Sequence, residues 1–367
     1  MKIKKRAVQP KTYLARVAKK PLMLLVITAA FVAANVYIVR HTILRPSTVA
    51  STAPICLGTA QSTDFKCWDN RLRTLTREDS PAVAFADLKD AYAKEPYVVS
   101  QCHQFAHRIG RAAATKYNDI GESYRYGDNF CWSGYYHGVM EAMTASLGKD
   151  YVFQNIATIC DKLKQEQPYS FYHFNCVHGL GHGVMGLTDI ELFESLSLCQ
   201  KMSEWWEQES CYGGVFMENI MSEDNEDHGT KYLFKDQPMY PCTAVGNTFK
   251  NQCYLMQTSY ALKLAEYNFE TVFMQCEAIE QQFVATCYQS IGRDASGSTT
   301  SDPSKTKELC LKGTTYDAQS NCIVGAVKDF ISYFHNMDQA NVLCDSLGSE
   351  PLRQLCQTTG TEYYKTF

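Results

Sequence analysis

The 367-residue sequence predicts an all-α protein, built of disulfide-stapled helical hairpins stacked as an α-solenoid of period about 34–35 behind a single N-terminal transmembrane helix. Three observations predict it. Cysteines fall into couples that advance along the chain by a nearly constant step. Between them, apolar residues recur at intervals of three and four, the period of one helix face. Residues 21–39 form an uncharged apolar run behind a basic leader.

In chain order, residues 1–20 come first, with Lys2, Lys4, Lys5, Arg6, Lys11, Arg16, Lys19 and Lys20 and no acid. The run 21–39 follows; at about 1.5 Å per residue it reaches roughly 28 Å, close to the hydrocarbon thickness of a bilayer. A basic flank stays cytoplasmic, so the reading is a single-pass anchor with the C-terminal body extracytoplasmic. A cleaved signal peptide fits less well, because the small-residue candidates near Ala50 and Ala53 lie more than ten residues past the apolar run. The expected organisation is a basic cytoplasmic tail (1–20), the anchor contacting the membrane (21–39), a linker with an N-terminal cysteine pair (40–85) and a helical-repeat domain (86–367).

Composition narrows the classes. A chain that is 45% apolar and 12% aromatic is not intrinsically disordered. The net charge of −4 hides an uneven distribution: residues 1–46 hold ten basic residues and no acid, leaving 25 Lys and Arg against 39 Asp and Glu in the body. A body that acidic repels phosphate backbones, which excludes nucleic acid as a partner. Sixteen cysteines without a CxxC motif speak for structural disulfides in an oxidising compartment and against zinc ribbons, redox centres and haem attachment.

The couples are Cys160 and Cys176, Cys199 and Cys211, Cys242 and Cys253, Cys276 and Cys287, Cys310 and Cys322, and Cys344 and Cys356. Their second members advance by 35, 42, 34, 35 and 34 residues. Cys56 with Cys67 makes another couple and Cys102 with Cys131 a looser one. Each unit reads as a first helix ending near one cysteine, a turn, and a second helix opened by the partner cysteine. In SDPSKTKELCLKG, Asp302 is placed to cap a helix that Pro303 begins, with Gly313 beyond its last turn. The long step holds an acidic insert, residues 221–241, which lacks the ligand spacing of an EF-hand and reads as a solvated loop. In period and bridge logic the chain resembles extracellular disulfide-stapled helical repeats of the tetratricopeptide kind, although the tetratricopeptide signature residues are not evident.

Chemistry concentrates in one half. Six of nine histidines lie between residues 103 and 182. CHQFAHRIG carries His103 and His107, CWSGYYHGVMEA carries His137 and Glu141, and CVHGLGHGVMG carries His178 and His182. Each pair is spaced i, i+4, so both side chains leave one helix face. The next repeat, CYGGVFMEN, offers Glu218 one residue past the position of His182, while later repeats have nothing comparable. Stacked helices lie about 10 Å apart. The three pairs therefore converge on one volume, a ligand set suited to a divalent Zn, Fe, Mn or Cu ion. If the site is catalytic, Glu141 or Glu218 is the natural general base toward a water molecule. Gly181, Gly183 and Gly186 match GxGxxG but follow no strand, so they are not a dinucleotide loop. Whether the protein is an enzyme stays open. The alternative is a non-catalytic scaffold that holds a protein or cell-envelope partner on its helical surface.

Overall fold

The computed structural model describes residues 52–224 and 229–365. The basic tail, the anchor 21–39 and most of the linker lie outside the described residues. Among the described residues no helix is long and apolar enough to cross a membrane.

The described chain is all-α, with seventeen α-helices and no strand. The N-terminal group is α1 (Phe65–Glu78), α2 (Pro81–Tyr92), α3 (Pro96–Tyr117) and α4 (Ile120–Arg125). Then come α5 (Gly134–Leu147), α6 (Lys149–Asn155), α7 (Asp161–Glu166), α8 (Phe171–Leu187), α9 (Leu192–Cys199) and α10 (Trp205–Met221). The C-terminal group is α11 (Asn247–Leu264), α12 (Phe269–Glu277), α13 (Val284–Ser298), α14 (Pro303–Cys310), α15 (Tyr316–Phe334), α16 (Asp338–Asp345) and α17 (Glu350–Tyr364).

Local chemistry sets many of these starts. Asp302 accepts from the Ser304 and Lys305 amides ahead of Pro303, as its sequence indicates. Ser170 caps α8 through the His173 amide and Thr315 caps α15 through the Ala318 amide. Such a cap contributes about 1 kcal/mol. The long helices pack in sequence, α3 on α5, α5 on α8, α8 on α10, and so on through α11, α13, α15 and α17. The short helices α9, α12, α14 and α16 rest on the long helix that follows each of them. Trp68, Phe105, Tyr135, Tyr212, Phe273 and Phe330 are fully enclosed between them.

All sixteen cysteines pair, in the expected couples, and none is free. Eight disulfides are the mark of an extracytoplasmic compartment. Two details differ from expectation. The partner cysteine does not open the second helix: α10 starts at Trp205 and carries Cys211 in its second turn, and α11, α15 and α17 repeat this with Cys253, Cys322 and Cys356. The bridge needs only a Cα separation of 5.4–5.7 Å in these hairpins, which a mid-helix cysteine meets as well as a terminal one. The hairpin of the long step also has one helix instead of two, since residues 231–246 run through turns and Cys242 sits in one of them.

The row of long helices bends back on itself. The loop before α5 meets the end of α15, where the Asn129 side chain donates to the Tyr333 carbonyl and the Trp132 ring lies 5.3 Å from that of Tyr333. Beside them Phe171 at the start of α8 packs 4.5 Å from the His335 ring.

Candidate metal centre

Helix α3 carries His103 and His107 on one face, α5 carries His137 and Glu141, α8 carries His178 and His182, and α10 carries Glu218. The four helices pack side by side, and glycine makes the approach close. A Cβ on Gly138 of α5 would stand 2.2 Å from the His107 carbonyl oxygen, and one on Gly214 of α10 would stand 1.9 Å from that of His178. No larger residue fits at either crossing, so these glycines draw the histidine-bearing backbones together.

All seven residues singled out in the sequence meet in one buried chamber. His107, His137, His178 and His182 are each at most 3% exposed. His103 lies 4.7 Å, ring to ring, from His107, and both lie within 5.6 Å of His137. On its other side His137 is 4.9 Å from His178 and 4.7 Å from His182. Three overlapping groups have ligating atoms within 4.8 Å of one another: His103, His107 and His137; His137, His178 and His182; and Glu141, His182 and Glu218. Each could hold a metal ion. The remaining histidine of this region, His173, stands apart with Glu207 and Trp206.

Hydrogen bonds fix how the rings present themselves. His103 Nδ1 is 2.8 Å from the Cys131 carbonyl and His107 Nδ1 is 2.8 Å from Glu141 Oε1. His182 Nδ1 is 2.7 Å from Glu218 Oε2, and the His178 ring bonds the Ser210 carbonyl. A carbonyl or an ionised carboxylate can only accept, so Nδ1 of His103 and His107 carries the proton and Nε2 is turned inward as a lone pair. His103 Nε2 and His107 Nε2 then face each other at 3.1 Å. Two lone pairs at that distance repel unless a positive charge, a proton or a metal ion, lies between them. His182 Nε2 and His137 Nδ1 are buried with no hydrogen-bond partner among the described residues. An orphaned His182 Nε2 on a ring backed by Glu218, beside an orphaned His137 Nδ1, supplies donors that could hold a metal ion.

The electrostatics agree. Burial, with His107 next to it, drives both His103 and His182 down to about 3, and burial and the neighbouring rings hold His137 and His178 well below the usual histidine range. Burial alone would raise Glu141, but His107 and then Arg111 outweigh it and keep the carboxyl well below the ordinary range. Burial and the Glu141 charge push Glu218 up to about 7. Neutral imidazoles at His103, His137, His178 and His182 beside an ionised Glu141 are protonation states a cation needs.

Sequence reasoning missed Arg111, whose Nε donates to Glu141 Oε2 at 2.5 Å. It lies one further i+4 step along the His103 and His107 stripe, so extending the stripe would have found it. It also missed Phe174, which is partly exposed and stacks 5.3 Å from His178 at the rim of the chamber. The glycines 181, 183 and 186 lie inside α8, away from any strand.

No known family, curated protein or solved structure matches the chain. The chemistry of the chamber carries the reading alone.

Proposed function

We propose that this is an extracytoplasmic α-solenoid, anchored by residues 21–39, that binds a divalent transition metal (Zn, Fe, Mn or Cu) through His103, His107, His137, His178 and His182. The observation that carries the reading is the facing pair of Nε2 atoms on His103 and His107, 3.1 Å apart, with both Nδ1 atoms committed to acceptors. Imidazole-rich sites suit these ions. Glu141 is engaged twice, by His107 and by Arg111, which suits a carboxylate that orients a ligand. Among the described residues Glu218 bonds His182 and a distant Ser222 hydroxyl, so turnover at this centre would use Glu218 as its base.

The test is elemental analysis of the oxidised full chain in mild detergent, beside a His137→Ala/His182→Ala variant checked for helicity and disulfide content. Near-stoichiometric Zn, Fe, Mn or Cu, lost in the folded variant, is the expected result. A fully oxidised, folded wild-type protein that carries no metal and takes up none would sink the proposal and return the scaffold reading.

A further inference from the structure

The chamber offers more donors than one ion can collect, and they are divided. Zinc and its neighbours bind imidazole nitrogen at about 2.0–2.1 Å, so two nitrogens on one ion are at most about 4.2 Å apart. Of the two all-histidine groups, one contains the α3 pair, His103 and His107, and the other the α8 pair, His178 and His182. Neither group contains a member of the other's pair; His137 alone belongs to both. Each pair is an i, i+4 couple on a single helix, which is a chelate in itself. Helix α5 packs against both α3 and α8, which places the His137 ring 5.5–5.6 Å from the first couple and 4.7–4.9 Å from the second. Of the orphaned atoms, His182 Nε2 belongs to the α8 couple and His137 Nδ1 to the shared ring, while on the α3 couple the two Nε2 atoms face each other at 3.1 Å.

We infer that the chamber is a two-ion centre, with one transition-metal ion on His103 and His107, a second on His178 and His182, and His137 between them. The inference rests on the metal-binding reading above and deepens it. Each position also has its own anionic backing. Glu141 supports the α3 side through His107 Nδ1 and also lies in one group with His182 and Glu218, and Glu218 supports the α8 side through His182 Nδ1. A single-ion centre has no use for two separately backed chelates on different helices.

The experiment uses the oxidised full chain, stripped with a chelator and reloaded with Zn(II) for stoichiometry or with Cu(II) for electron paramagnetic resonance. The expected result is two zinc ions per chain and a copper signal well below that of two isolated ions, because two Cu(II) ions held on either side of one shared ring couple magnetically. His103→Ala/His107→Ala and His178→Ala/His182→Ala should each retain one ion, with the full signal of an isolated copper. One ion per chain in the wild type overturns the two-ion centre and leaves the metal-binding reading in place; no ion overturns both. Two uncoupled ions unaffected by either variant place the metals elsewhere and also overturn it. Should a variant fail to fold, the wild-type stoichiometry and signal decide alone.

Discussion

At the scale of single residues, the chamber is costly to leave empty, and that cost depends on pH. His103 and His182 titrate near 3 in the folded chain against 6.5 ordinarily. As pH falls below 6.5, the unfolded chain takes up protons that these buried rings refuse. Stability therefore drops progressively until about pH 3, by about 1.4 kcal/mol per pH unit for each such ring. His137 and His178 act in the same direction. Glu218 and Asp329, pushed up to about 7 and about 6, act oppositely, since they lose stabilisation as pH rises through their window. Four rings outweigh two carboxyls, so chelator-treated protein should melt at a lower temperature at pH 5 than at pH 7.5. A higher melting temperature at pH 5 would show that the rings are not held neutral.

At the scale of elements, one crossing is used twice with different contents. Gly181 and Gly214 bring α8 and α10 together, and Gly292 and Gly325 bring α13 and α15 together at the same offsets from their cysteines. A Cβ on Gly214 meets the His178 carbonyl oxygen at 1.9 Å, and one on Gly325 meets that of Gln289 at 1.9 Å. Where the first crossing carries His182 and Glu218, the second carries Arg293 and Asp329. Gly214→Ala and Gly325→Ala should therefore each destabilise the protein by about 1–3 kcal/mol through overpacking. Only Gly214→Ala should also reduce bound metal, read from thermal melts and elemental analysis; full metal in that variant would detach the crossing from the site. The same elements mark what can be read from sequence. Cysteine steps and i, i+4 histidines are periodic, so the couples and the convergence of seven side chains were legible. The starts of the second helices were not: α10 begins at the Glu204 and Glu207 capping box, well before Cys211, because the cap and not the cysteine sets where the helix opens. Nor was the loss of a helix before Cys242, because a longer step shows that residues were added and not that a helix gave way to turns.

At the scale of the whole body, the contact of Trp132 and Asn129 with Tyr333 carries a consequence for how the protein comes apart. In a linear array each unit leans only on its neighbours, so stability is close to a nearest-neighbour sum and opening starts from the ends. Here the loop before α5 and the end of α15 meet in space as well as being linked through the row between them, and only α16 and α17 lie beyond the contact on the C-terminal side. Opening any hairpin from α8 to α13 then works against two routes of support, so this stretch should unfold as one unit. Native-state hydrogen exchange should give α5, α8, α13 and α15 a shared opening free energy, with α17 opening more easily. In Trp132→Ala the C-terminal helices should separate from that unit and exchange faster than α5; unchanged protection would mean the contact bears no load. A row closed in this way behaves like a hooped cask instead of a stack of coins, and His137 on α5 and His178 and His182 on α8 belong to staves that cannot loosen singly.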